Sequence, residues 1–221
     1  MVPPKKVPAE LSGSGGTIGV VVIHDIYGRG PYMHAVAEAL GSVGVATATV
    51  DLFGGKGPTS RDEGIALAGT LTEPGVLDAL EEARVALASQ LTGPARVGVL
   101  GFCMGGGYAL LGACHRPFDF AVDYYGRIER VEEVAGLRGP LLVILGSEDE
   151  RITPWALTEL LPAANRAKKR VSVELFPGVR HAFHRPGWEG HDPAAAAEAW
   201  RRTLAFLAEL RGPKGPLPKQ S

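Results

Sequence analysis

Short apolar runs alternate along this chain with longer segments whose apolar residues recur at helical spacing. The continuous apolar character of the runs is typical of strands that are covered on both faces. The predicted strands cover residues 17–23, 45–50, 96–100, 120–124, 141–145 and 171–176. The predicted helices cover residues 31–44, 65–71, 76–91, 104–114, 154–167 and 193–210. Strands that alternate with helices predict an α/β fold with a mostly parallel sheet and helices on both faces.

The domain organisation follows from length and from the composition of the two ends. A chain of 221 residues suits one domain, and the pattern contains no internal repeat. We expect the α/β domain over residues 17–211. Residues 1–16, rich in Pro, Lys, Gly and Ser, predict a loose N-terminal extension, and residues 212–221, rich in Pro and Lys, predict a flexible tail.

Charge is balanced along the chain, which has 23 basic and 24 acidic residues. Because no basic patch or acidic tract dominates, the sequence predicts neither nucleic acid nor a membrane as a partner. The first residues lead into no apolar stretch of the signal-peptide type, and no apolar run approaches the length of a membrane span. The expected location is therefore the cytoplasm.

The chain has two cysteines, Cys103 and Cys114. They lie on one predicted helix, and their spacing along the chain corresponds to about 16 Å along the helix axis. No disulfide spans that distance. Two free thiols are consistent with a reducing compartment.

The first of these cysteines lies in the segment Gly101-Phe102-Cys103-Met104-Gly105, which joins a predicted strand to a predicted helix. The segment matches the G-x-S-x-G nucleophile elbow with Cys in place of Ser. Its glycines allow a sharp turn that would lift the thiol to the positive end of the helix, where the thiolate is favoured. The pattern therefore predicts Cys103 as a nucleophile. The alternative is a small buried cysteine in a Gly-rich turn.

An elbow nucleophile needs a base, and the base needs an acid that orients it. In this fold the acid and then the histidine follow the nucleophile along the chain, each beyond the carboxyl end of a strand. Asp149 and His181 lie on the two loops that meet this requirement, so we predict a Cys103–His181–Asp149 triad. The other candidates are Glu148 and Glu150 for the acid and His184 for the base.

The same elbow predicts an oxyanion hole made of two backbone N–H groups. One belongs to Met104, the residue after the nucleophile, and the other is expected from the loop after the first strand, at Ile26. Such donors stabilise the negative oxygen that develops during acyl transfer.

Short motifs throughout residues 17–210 together resemble the dienelactone hydrolase (carboxymethylenebutenolidase) family of the α/β-hydrolase fold. A Cys elbow accompanied by all of them is much more specific than the elbow alone. The motifs are His24-Asp25-Ile26-Tyr27-Gly28, Asp51-Leu52-Phe53, Gly101-Phe102-Cys103-Met104-Gly105-Gly106, Tyr124-Tyr125-Gly126, Gly146-Ser147-Glu148-Asp149 and Gly178-Val179-Arg180-His181-Ala182-Phe183.

The resemblance implies a cysteine-dependent hydrolase of small esters or lactones. Members of the family open cyclic enol-lactones through an acyl-enzyme, without a metal or cofactor. Position by position, the resemblance implies that Arg185 binds a substrate carboxylate and that Tyr124 lines the floor of the site. Asp25 stands where the family has a Glu that gates the ionisation of the thiol, and the family's second substrate-binding arginine has no clear match here.

The expected partner is thus a small ester or lactone, bound by a monomer or a small homo-oligomer. Two other classes of function stay open. A thiol redox protein could use Cys103, although the chain has no C-x-x-C motif. A non-catalytic binding protein could also be built on a hydrolase fold.

Overall fold

The computed structural model describes residues 9–211, which form a seven-stranded sheet. The strands lie in the order β1-β3-β2-β4-β5-β6-β7. All neighbouring pairs are parallel except β1, which is antiparallel to β3. The strands are β1 Ala9–Ser12, β2 Ile18–Ile23, β3 Ala46–Val50, β4 Arg96–Phe102, β5 Ala121–Tyr124, β6 Leu141–Gly146 and β7 Val171–Phe176.

Six α-helices within residues 9–211 connect or follow the parallel strands. Two 3-10 turns, Val131–Gly136 and Pro154–Ala156, lie in the loops after β5 and β6. The helices are α1 Pro31–Ser42, α2 Arg61–Ala68, α3 Glu73–Ala88, α4 Met104–His115, α5 Leu157–Arg166 and α6 Pro193–Leu210.

Helices cover both faces of the sheet, which confirms the predicted fold class. A side chain at Gly19 of β2 would meet Leu87 of α3 at 2.8 Å. Gly98 of β4, which pairs with the next residue of β2, points to the other face, against the ring of Phe120. That ring packs on Phe206 of α6, with 6.1 Å between centroids. The core therefore lies in two layers.

The ends of several elements differ from the sequence predictions. The first strand, β1, falls inside the segment expected to be loose, because an edge strand with mostly exposed side chains gives little apolar signal. Helix α2 begins at Arg61, where the Ser60 side chain accepts a hydrogen bond from the Glu63 N–H. Residues 1–8 and 212–221, including the expected flexible tail, lie outside the described residues.

Parallel strands bring their carboxyl ends to one edge of the sheet, and this arrangement positions the candidate site. The loop after β2, the elbow after β4 and the loops after β6 and β7 all meet there. Within residues 9–211, no helix is long and apolar enough to cross a membrane.

Candidate active site

Cys103 occupies a strained turn between β4 and α4. Its backbone has a positive φ of 53° with ψ −114°, a conformation that few non-glycine residues adopt. A side chain at Gly101 would clash with the Gly105 carbonyl, and one at Gly105 would lie 2.5 Å from the Ile23 carbonyl. The two glycines of the elbow are therefore required by the close approach of β4, α4 and β2.

The structure brings Cys103, His181 and Asp149 together in one hydrogen-bonded chain. His181 Nε2 lies 3.2 Å from Cys103 Sγ, and His181 Nδ1 lies 2.8 Å from Asp149 Oδ2. Asp149 is held in turn, because its other oxygen accepts the N–H groups of Arg151 at 2.9 Å and Ile152 at 2.7 Å. The carboxylate orients the imidazole, and the imidazole faces the thiol.

His181 and Asp149 are almost completely shielded from solvent, with exposures of 2% and 3%. Burial lowers the pKa of His181, but the hydrogen bonds to Asp149 and Cys103 outweigh this effect and raise the pKa to about 9. An imidazole of this kind stays protonated near neutral pH and stabilises a thiolate beside it.

The two expected oxyanion donors have free N–H groups. Within residues 9–211, the N–H of neither Ile26 nor Met104 donates a hydrogen bond to a protein acceptor. Helix α2 packs so closely on the loop after β2 that a side chain at Gly64 would clash with the Ile26 carbonyl. This contact supports the loop at Ile26 from behind.

Asp25 and Arg185, which the sequence assigns to separate tasks, form an ion pair with each other. Asp25 is 4% exposed, and Oδ2 of its carboxylate contacts Arg185 Nη1. Its Oδ1 accepts the Tyr27 N–H at 2.8 Å. The guanidinium lies over the ring of Tyr27 at 4.4 Å and over that of Tyr32 at 5.3 Å. Both charges are thus held in place, and Cys103 hydrogen-bonds His181 rather than Asp25.

The Tyr124 side chain is directed to α6. It is fully buried, and its hydroxyl lies 2.6 Å from Thr203 Oγ1 on α6, so its position gives no support to contact with substrate. The next residue, Tyr125, packs edge-on against the His181 ring, with 5.3 Å between centroids. The Tyr-Tyr-Gly motif includes both residues. The backbone turns at Tyr125, where φ is 42°, and the Tyr125 ring is the one that lies against His181.

The other candidates from the sequence lie elsewhere. Glu148 and Glu150 are exposed on either side of the buried Asp149. His184 is half-buried, and its Nδ1 lies 2.8 Å from the Tyr32 hydroxyl. Burial and the neighbouring His191 lower the pKa of His184 to about 4.

A cavity of about 420 Å³ begins at Cys103 and extends along α4. It is large enough for a small organic ligand. Among residues 9–211, no group of three or more His, Cys, Asp or Glu side chains is arranged to hold a metal ion.

The chain resembles one family of known proteins along most of its length. The model of the "Dienelactone hydrolase family" matches residues 9–211. A "Probable 2-oxo-3-(5-oxofuran-2-ylidene)propanoate lactonase" of Bradyrhizobium sp is 30% identical over 209 residues, which is 88% of this chain and 84% of that protein. Carboxymethylenebutenolidase 1 of Cupriavidus pinatubonensis is 30% identical over 209 residues, 88% of this chain and 87% of that protein.

The solved structure of a dienelactone hydrolase-like promiscuous phosphotriesterase from metagenomic libraries has the same fold. It superposes with a TM-score of 0.80 and 22% identity, covering 91% of this chain and 92% of that chain.

Proposed function

This chain belongs to the dienelactone hydrolase family, whose members hydrolyse esters and lactones, and on that premise we propose that it works through a Cys103–His181–Asp149 triad and an acyl-enzyme. The observation that carries the proposal is the 3.2 Å approach of His181 Nε2 to Cys103 Sγ, with Asp149 2.8 Å behind the ring. Small esters or lactones are the substrates.

In the first half of the reaction, Sγ of Cys103 attacks the carbonyl carbon of the ester. The carbonyl electron pair moves onto oxygen, and the free N–H groups of Met104 and Ile26 stabilise this charge. Each such donor contributes about 3 kcal/mol to the transition state. When the intermediate collapses, the C–O bond breaks and the leaving oxygen takes the proton from His181 Nε2. With a lactone, that oxygen stays attached to the acyl chain.

In the second half, water attacks the thioester while His181 accepts its proton. The C–S bond then breaks, the acid leaves, and the thiolate of Cys103 beside the protonated His181 is restored. Asp149 keeps the ring in the orientation that both proton transfers need, and its own backbone hydrogen bonds hold the carboxylate still.

We also propose that Arg185 binds an anionic substrate and that Asp25 gates the thiol, through the ion pair that joins them. A substrate carboxylate that approaches Arg185 competes with Asp25 for the guanidinium. The released Asp25 carboxylate can then turn towards Cys103 and take up any proton that Sγ still carries, which completes the ionisation that the protonated His181 favours.

Trapping the intermediate tests the proposal. The protein is mixed with 4-nitrophenyl acetate, quenched in acid and digested. Mass spectrometry should find one acetyl group on the peptide that carries Cys103, and the Cys103→Ala variant should carry none. Hydrolysis without an acylated Cys103 would contradict the mechanism.

The two alternative functions give different outcomes. A thiol redox protein would turn over peroxide and leave esters and enol-lactones unchanged. A non-catalytic binding protein would leave both unchanged. The cytoplasmic location and the monomer or small homo-oligomer stay predictions.

A further inference from the structure

The cavity beside Cys103 follows one face of α4. Met104, Tyr108 and Leu111, at helical spacings of four and three, form its floor. Val134, from the 3-10 turn after β5, and Ile152, from the loop after β6, form the opposite wall. We call these five residues the acyl groove. From Met104 to Leu111 the groove is about 10 Å long.

The groove lies on the side of Sγ where the acyl part of a substrate belongs. The leaving group must lie within reach of His181 Nε2, which protonates it. His181 does not line this cavity, whereas Cys103 and the oxyanion donor Met104 do. The part that stays on Sγ after the leaving group departs therefore has the groove available to it.

The groove favours an uncharged occupant. The five residues of the groove are apolar apart from the Tyr108 hydroxyl, and the five charged residues that also line the cavity are already paired with one another. Arg130 contacts Glu73 at 2.8 Å and Glu133 at 3.2 Å, and Arg127 contacts Glu129 at 3.0 Å. An acidic group at the end of an acyl chain would have to displace a carboxylate to reach either guanidinium.

We propose that the acyl groove is a binding subsite for an uncharged, medium-length hydrocarbon acyl chain. The inference rests on the proposed function, because it needs Cys103 to carry the acyl group. It extends the substrate range beyond compact lactones to esters of fatty acids whose chains fill the groove.

The test compares kcat/KM for 4-nitrophenyl acetate, 4-nitrophenyl hexanoate and the mono-4-nitrophenyl ester of adipic acid, each divided by its own rate of hydroxide hydrolysis. Burying the extra methylenes should favour hexanoate over acetate by about tenfold or more, and adipate should fall below hexanoate. A ratio of hexanoate to acetate near one, with hydrolysis dependent on Cys103, would overturn the subsite alone. Adipate above hexanoate would overturn the uncharged class. No hydrolysis of any ester would instead refute the proposed function.

Variants locate the effect in the groove. Leu111→Trp, which fills it, should lower the hexanoate-to-acetate ratio at least about fivefold. Val85→Trp on the exposed face of α3, where Val85 is 54% exposed, is the matched control and should leave the ratio unchanged. If Leu111→Trp does not fold by circular dichroism, Leu111→Gln replaces it with the same expected direction. An unchanged ratio in a folded Leu111 variant would contradict the proposal.

A measurement without turnover gives a second check. N-hexyl iodoacetamide should alkylate Cys103 several-fold faster than iodoacetamide in the wild type, because the hexyl chain binds in the groove before the reaction. Equal rates of alkylation would argue against the subsite.

Discussion

The two cysteines lie at opposite ends of α4, in surroundings that differ in almost every respect that matters for thiol chemistry. Cys103 is the N-cap residue, at the positive end of the helix, with the His181 imidazole 3.2 Å from its sulfur. Cys114 lies in the last turn, at the negative end. Burial, and to a smaller extent Glu133, raise the pKa of Cys114 to about 12. One helix thus places one thiol beside an imidazole and another where ionisation is disfavoured.

The contrast shows that the helix alone does not make a nucleophile. Its dipole contributes only about 0.3–1 kcal/mol at a terminus. The larger difference comes from other strands, because the loop after β7 supplies the protonated ring of His181 and the loop after β6 supplies Asp149. Among residues 9–211 no histidine is hydrogen-bonded to Cys114, and the adjacent His115 pairs with Glu133 instead. The proposed reactivity of Cys103 therefore depends on the sheet edge where the loops meet.

Removing each sulfur in turn tests the difference between the two cysteines most directly. Cys103→Ala should lower kcat/KM for 4-nitrophenyl acetate by about a thousandfold or more, since losing a triad nucleophile costs several orders of magnitude. Cys114→Ala should stay within about twofold of wild type, because Cys114 lies about 16 Å from Cys103 along the helix axis, beyond the reach of an acetyl group. Both variants are checked for folding by circular dichroism. Cys103→Ala with more than about 1% of wild-type turnover would refute the assignment.

Alkylation at different pH values measures the same contrast directly. At pH 7 iodoacetamide should modify Cys103 at least about a hundredfold faster than Cys114, because only the thiolate reacts. The rate at Cys114, whose pKa is about 12, should rise nearly tenfold for each pH unit between 6 and 9. The rate at Cys103 should rise less steeply, since His181 stays protonated up to a pKa of about 9.

Peptide mass spectrometry follows both rates in one sample. Equal labelling of the two cysteines, or the same steep pH dependence at both, would contradict an activated thiol at the elbow. His181→Gln serves as the control, and it should bring the pH dependence at Cys103 closer to that at Cys114.

Replacing sulfur by oxygen at residue 103 tests how far catalysis depends on a thiolate. Cys103→Ser should lower kcat/KM for 4-nitrophenyl acetate by about a hundredfold or more, because the site is built to stabilise a thiolate and serine is far less acidic. Steady-state kinetics on the folded variant give the value. A Ser variant as fast as wild type would mean that the site behaves as an ordinary serine esterase.

The reactive end of α4 could be predicted from the sequence because its signals are local. The glycines on both sides of Cys103 indicate a tight turn between a strand and a helix. The order of strands and loops then indicates Asp149 and His181 as its partners. The sheet is predictable for the same reason, since buried parallel strands are continuous apolar runs. The short edge strand β1 could not be predicted, because its stability comes from backbone pairing with β3 rather than from buried side chains.

The rest of the site depends on contacts between distant parts of the chain. Asp25 and Arg185 are 160 residues apart in sequence, and no local pattern predicts that they pair. The direction of Tyr124 depends on its hydrogen bond with Thr203, a residue of the last helix. The acyl groove requires loops after β5 and β6 to lie against α4. Each is a property of the packed molecule.

The ion pair of Arg185 with Asp25 predicts a moderate effect on the binding of anionic substrates. Arg185→Ala should raise KM for a carboxylate-bearing enol-lactone by roughly ten- to a hundredfold, because a charge-assisted hydrogen bond contributes about 1.5–3 kcal/mol. The neutral ester 4-nitrophenyl acetate does not need the guanidinium, so its kcat/KM should fall much less. The measurement is kcat/KM of wild type and variant on both substrates.

Two controls separate substrate binding from support of the loop. Arg202→Ala removes an exposed arginine of α6 and should leave both substrates unaffected. Asp25→Asn removes the charge that competes for Arg185, so it should lower KM for the anionic lactone while slowing turnover through loss of the gate. An equal drop on both substrates in Arg185→Ala would mean that the guanidinium only holds Asp25 and the stacked tyrosines in place. No drop in kcat/KM on either substrate would show that anionic substrates bind elsewhere. Substrate specificity at Cys103 would then come from the acyl groove.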